Sequence, residues 1–173
     1  MTEPLWQQAD SPRDALGRAL FRASRAFALA GGLLLVAVSA MSVASIASRW
    51  LGAGPLLGDF ELVQLACAVS VSAFLPWCQM LRGHVLVDFF TNGLGRRARA
   101  VLDAIGNAAL AAVAALLAWR IALGMIGIRQ AAESTMLLGV PIWYAYALML
   151  PSFALLSLAA AHTAARELGR ALR

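Results

Sequence analysis

Leu81-Arg82-Gly83-His84-Val85-Leu86-Val87-Asp88, continuing to Arg96-Arg97-Ala98-Arg99, is the one long polar break in the middle of a very apolar chain. Apolar runs long enough to cross a bilayer lie on both sides of it, two before and two after. The break holds four arginines, one of the two histidines and an aspartate. In a membrane-spanning chain such a loop fixes orientation, because basic residues concentrate on the cytoplasmic side.

Composition agrees with that class. The chain is 61% hydrophobic and only 13% charged, whereas a soluble domain usually carries roughly a quarter charged residues. Its 173 residues leave room for one domain. All 14 basic residues are arginine. They flank apolar runs and do not gather on one face, so membrane orientation explains the net charge better than nucleic acid does. Cys67 and Cys78 would lie roughly 16 Å apart along one helix, beyond disulfide reach. Both read as small packing residues.

Outward from the central break, the spans are expected at 27–48, 61–81, 100–127 and 142–165. The first rises about 33 Å, enough for a hydrocarbon core of about 30 Å. Its Gly31, Ser42, Ser45 and Arg49 fall near one face, where small residues permit close packing. In the second, Glu61, Gln64, Ala68, Ser72 and Gln79 lie within about 80° of one another, a polar stripe expected to face protein. Pro76 is expected to kink that helix near its inner end. In the third, Asp103 and Asn107 share a face near the membrane edge. Arg120 lies deeper, about two turns from the opposite end, and must snorkel or pair. Glu133 and Glu61 are the candidate partners, and Arg120 with Glu133 would make a buried ion pair. Trp143, Tyr144 and Tyr146 open the fourth span, where an aromatic belt belongs.

Residues 1–26 form a polar tail. Ser11-Pro12-Arg13-Asp14 reads as a helix start, with Ser as N-cap and Pro at the first helical position. Leu16, Leu20 and Phe21 against Arg13, Arg18, Arg22 and Arg25 suggest a short amphipathic helix on the membrane surface. The tail holds four arginines, the central loop four and the C-terminal tail 166–173 three, against one in each of the other two loops. The positive-inside rule then places both termini and the central loop in the cytoplasm. The expected fold is all-α, with four transmembrane helices.

No catalytic constellation is evident: no phosphate-binding Gly loop, no GxSxG, no HExxH. His84 and His162 both fall near the cytoplasmic interface, and neither sits well inside a span as a haem ligand pair would. That weighs against a membrane-anchor subunit of a respiratory or redox complex, the alternative reading. No helix is broken at mid-membrane in the manner of secondary transporters. The residues alone therefore favour a subunit that docks on another membrane protein.

Three segments carry a family resemblance. Asp59-Phe60-Glu61-Leu62 opens the second span, Leu81 to Asp88 is similar to an R-x-x-H-V-x-V-D signature shortened by one residue before the His, and Leu138-Gly139-Val140-Pro141-Ile142-Trp143 precedes the last helix with Pro151 inside it. In this order, on a four-span chain of this size, they resemble the small permease (DctQ-type) subunit of tripartite ATP-independent periplasmic (TRAP) transporters. The resemblance implies two partners, a large permease subunit and a periplasmic substrate-binding protein, and no nucleic acid. It implies sodium-coupled uptake of an organic acid such as a C4-dicarboxylate. The sodium ions belong to the large subunit, and this chain holds no cofactor. Glu61, Arg82, His84, Asp88, Pro141 and Trp143 become the expected partner or scaffold contacts. His84 and Asp88 would pin the cytoplasmic loop, Glu61 would pair with Arg49 or Arg120, and Pro141 and Trp143 would place the last helix and the outer surface.

Overall fold

The computed structural model describes residues 15–52, 57–81 and 96–171, and among these the secondary structure is helical apart from one isolated bridge between Ser134 and Pro141. Helix α1 is Ala15–Trp50, α2 is Asp59–Met80, α3 is Arg96–Gln130 and α4 is Trp143–Ala171. All four are long and apolar enough to cross a membrane.

Residues 15–26, the described part of the basic segment before the first span, are helical. They are continuous with the first span in α1, whose 36 residues extend about 54 Å. Charged residues end a membrane span, but only Pro, Gly or a competing cap ends a helix. Nothing of that kind interrupts the chain between Ala15 and Phe27 except Gly17, which is buried inside α1. Similarly, α2 continues four residues beyond Pro76, and α3 runs to Gln130.

The helices form two antiparallel hairpins, α1 with α2 and α3 with α4. They join where α4 packs on α2, with a lesser contact between α4 and α1. No comparable interface joins α3 to α1 or α2, so α3 stands at one edge of the array. Even helix number and alternating direction bring the described start of α1 and the end of α4 to the same end of the array. The end of α1, the start of α2 and the 131–142 connection lie at the other.

Among the described residues the interior is built mostly from small ones. Ala73, Ala104, Ala114, Ala145, Ala159 and Ala160 are buried, with Ser24, Ser45, Ser70, Ser72 and Ser152. Leu29, Leu33, Val36, Val43, Leu116 and Leu148 are exposed instead. Lipid solvates large apolar side chains as well as a protein core does, so a membrane fold gains by bringing backbones together through small residues. Gly31 is the tightest such point: a Cβ there would lie 2.9 Å from Ala73 Cβ and 3.1 Å from the Ser70 carbonyl oxygen. Below it, Phe21 of α1 packs on Trp77 of α2 with centroids 4.9 Å apart.

Among the described residues, a polar contact joins the hairpins near the terminal end. Gln79 of α2, 2% exposed, donates from Nε2 to Asn107 Oδ1 of α3 at 2.6 Å. Asn107 Nδ2 donates in turn to the Asp103 carbonyl at 2.7 Å, which fixes the amide's orientation. On the other pair, Ser157 Oγ of α4 donates to the Ala111 carbonyl of α3 at 3.1 Å. Interhelical hydrogen bonds in membranes average about 0.6 kcal/mol. A double-mutant cycle on Gln79→Leu and Asn107→Leu should therefore give a coupling of about 0.5–1.5 kcal/mol by unfolding in mixed micelles. Additive effects would show that the contact is not formed.

Candidate functional site

Among the described residues, a set of oriented polar groups gathers at the connection end of the array, around Glu61. The chain reaches it through Gly58, the N-cap of α2, which adopts φ 76 and ψ 11. That left-handed conformation suits glycine. Space also demands it, because a Cβ at Gly58 would run into the Leu138 side chain. Two carboxylates follow in the first turn of α2, where the helix dipole favours negative charge. Asp59 Oδ2 accepts a 2.6 Å hydrogen bond from Ser45 Oγ of α1, and the Arg49 charge acts on the same group. This ties the top of α1 to the start of α2.

Glu61 reaches the other way. Its Oε1 accepts the Leu137 N–H at 2.8 Å and its Oε2 the Leu138 N–H at 3.1 Å. The Thr135 hydroxyl and the Met136 amide also act on this carboxylate. Successive amides converging on one anion form a nest, which needs an acceptor to hold its shape. The glutamate supplies it across 76 residues of sequence.

The loop it grips has its own internal order. Ala132 sits at φ 52 after the last turn of α3. Its N–H donates to the Arg129 carbonyl at 3.3 Å, and the Glu133 N–H donates to the Ile128 carbonyl at 3.2 Å. These two bonds make a Schellman cap with alanine where glycine is usual. Thr135 N–H then donates to the Val140 carbonyl at 3.0 Å, Val140 N–H to the Thr135 hydroxyl at 3.1 Å, and Ile142 N–H to the Glu133 carbonyl at 3.2 Å. Gly139, at φ 63, turns the chain back. Met136 is left at the tip, 98% exposed. Left-handed alanine costs about 1 kcal/mol relative to glycine. Ala132→Gly should accordingly raise the stability of the purified chain by about that amount, read as an upward shift in melting temperature; a lowered one would contradict this cap.

The predicted residues sort as follows. Glu61, Pro141 and Trp143 come together at this end: Pro141 bridges Ser134, and Trp143 begins α4 with Arg129 over its ring at 5.3 Å. Glu61 does not pair with Arg49 or Arg120, because backbone amides take its oxygens. Nor do Arg120 and Glu133 form a buried ion pair, since both are exposed. The loop folds through the backbone of Glu133, whose side chain is left at the surface. Arg82, His84 and Asp88 lie outside the described residues, as do Ser11 to Asp14. Within the α2 stripe, Ser72 and Gln79 are buried but Gln64 and Ala68 are exposed, and Cys78 is exposed as well. The Ser45–Asp59 bond and the amide nest had no counterpart in the sequence reading. A serine one turn before a Gly/Pro-rich connection and an acid just after it is the signal for the first; backbone donors leave no signal for the second.

Among the described residues no group of three or more His, Cys, Asp or Glu could hold a metal ion. The hydrogen bonds of this arrangement order a surface. In comparison with known proteins, the family described as tripartite ATP-independent periplasmic transporters, DctQ component, matches residues 38–170. Neither a curated protein nor a solved structure matches the chain.

Proposed function

Because the chain belongs to the DctQ component family of the tripartite ATP-independent periplasmic transporters, and is thus a small permease subunit and a multi-pass inner-membrane protein, we propose that it braces a large permease subunit during binding-protein-dependent uptake. The driving ion in this reading is sodium and the cargo an organic acid such as a C4-dicarboxylate, both handled by the large subunit. This chain carries no reaction of its own. The arginine distribution supports a cytoplasmic placement of both termini and the 81–99 loop, and in this reading the Glu61 end faces the periplasm. There the gripped 133–141 loop offers a firm surface to the substrate-binding protein. Arg82, His84 and Asp88 would hold the cytoplasmic loop at the opposite interface.

One observation carries this reading: the described helices meet mainly through alanine, serine and glycine, and leave many of their large apolar side chains outward. Helices packed this closely around small residues suit a fixed brace better than a conduit for a charged solute. The test is uptake in cells lacking the chain. Labelled organic-acid uptake should fall to background while the large subunit stays abundant in the membrane, and return with a plasmid copy. Undiminished sodium-driven uptake would overturn the proposal.

A further inference from the structure

Arg120 is the one charged residue between Asp103 and Arg129 of α3. It lies nine residues before Arg129, whose guanidinium sits over Trp143 at the aromatic level. Nine residues of helix put it about 13 Å below that level, close to the middle of a hydrocarbon core about 30 Å thick. Arg120 is exposed there, and among the described residues no contact accounts for it. Escape to the nearer interface is poorly directed. Side chains tilt toward the N-terminus of their own helix, whereas the nearer end of α3 is its C-terminus, ten residues on.

The same face of α3 continues through Ala109, Val113, Leu116, Leu123 and Gly127, all exposed. Nothing lies within 4 Å of a Cβ built on Gly127. A neighbouring helix can therefore approach closely on this side. The opposite edge of the array differs: α1 has no charged residue between Arg25 and Arg49, and its exposed Leu29, Leu33, Val36 and Val43 suit lipid.

A second copy of the chain does not supply what Arg120 lacks. Asp59 and Glu61 lie at the start of α2 and are engaged by Ser45 and the loop amides. Glu133 is in the connection beyond α3, and Asp103 is about 26 Å along the helix from Arg120. A two-fold contact through this face would oppose arginine to arginine. We propose that the Arg120 face of α3 is the surface on which the large permease subunit packs, and that a carboxylate at mid-membrane depth in that subunit pairs with the guanidinium. This inference rests on the bracing role proposed above and adds the face and the chemistry.

The test uses the co-expressed transporter. A photo-crosslinking residue at Leu116 or Leu123 should capture the large subunit, and one at Leu33 or Val36 of α1 should not. Arg120→Leu should lower co-purification of the large subunit about tenfold, as loss of a charge pair in lipid implies, while Arg120→Lys keeps most of it. The isolated Arg120→Leu chain should melt no lower than wild type, which separates lost assembly from lost folding. Wild-type levels of co-purification for Arg120→Leu, or capture of the large subunit from α1 alone, overturn the α3 assignment but leave the bracing role standing. Failure of the wild-type chain to co-purify overturns both.

Discussion

Gly31→Ile is expected to separate α1 from α2 and to give the largest loss of stability of any single change in the membrane-embedded part of the chain. A Cβ at this position already meets Ala73 Cβ at 2.9 Å and the Ser70 carbonyl oxygen at 3.1 Å. Neither obstacle is the free end of a flexible side chain. One is the first atom of a buried alanine and the other is helix backbone, so the helices themselves must move apart. Overpacking a closed contact costs about 1–3 kcal/mol for small additions, and a branched four-carbon side chain lies at or above that range. Separation would also strain the Ser45–Asp59 hydrogen bond and the Phe21–Trp77 contact on the same interface. Thermal unfolding in detergent micelles, followed by tryptophan fluorescence, should show a melting temperature lower by many degrees. Gly32→Ala is the control, because its nearest neighbours would be Phe74 ring atoms at 3.9 Å, an ordinary contact. Equal melting of the Gly31→Ile chain and wild type would show that α1 and α2 do not meet at this glycine.

The same residue shows what was legible in the sequence. Gly31 and Ser45 fall on one helical face by periodicity alone, and both prove to be buried. Four apolar runs separated by polar breaks gave four helices, because the length of a run and the thickness of a bilayer are both fixed quantities. Charge limits a membrane span without ending a helix: arginine is a good helix former, and Arg18, Arg22 and Arg25 lie within α1, which is helical from Ala15. Partners proved harder to read than positions. Gln79 and Asn107 each stood out as polar residues near a span's inner end, yet their hydrogen bond depends on how α2 and α3 cross. Glu61 stood out as an acid needing a partner, and arginines were the only visible candidates. Its actual donors are main-chain amides, which every residue carries and no letter marks.

Glu61→Leu should therefore act on the 135–138 turn, far away in the sequence, and through it on transport. With the carboxylate gone, the Leu137 and Leu138 amides lose their acceptors, and the nest loses the anion it is wrapped around. The loop keeps its Schellman cap and its Thr135–Val140 bonds, so the four helices should remain inserted and the chain should reach the membrane in normal amount. What opens is the turn itself. Limited proteolysis across residues 133–141 should accelerate about tenfold, the sign of a local opening rather than a global one. If this loop seats the binding protein, uptake at low substrate concentration should drop in parallel. Glu61→Gln should fall between, because the amide oxygen still accepts one N–H while its NH2 faces the other donor. Gly58→Ala reaches the same junction from the other side by driving a Cβ into Leu138, and should produce the same proteolytic signature with Glu61 intact. Agreement between Glu61→Leu and Gly58→Ala would locate the effect in the turn and not in the charge. A Glu61→Leu chain with wild-type cleavage and wild-type uptake would mean that the carboxylate does not hold the loop.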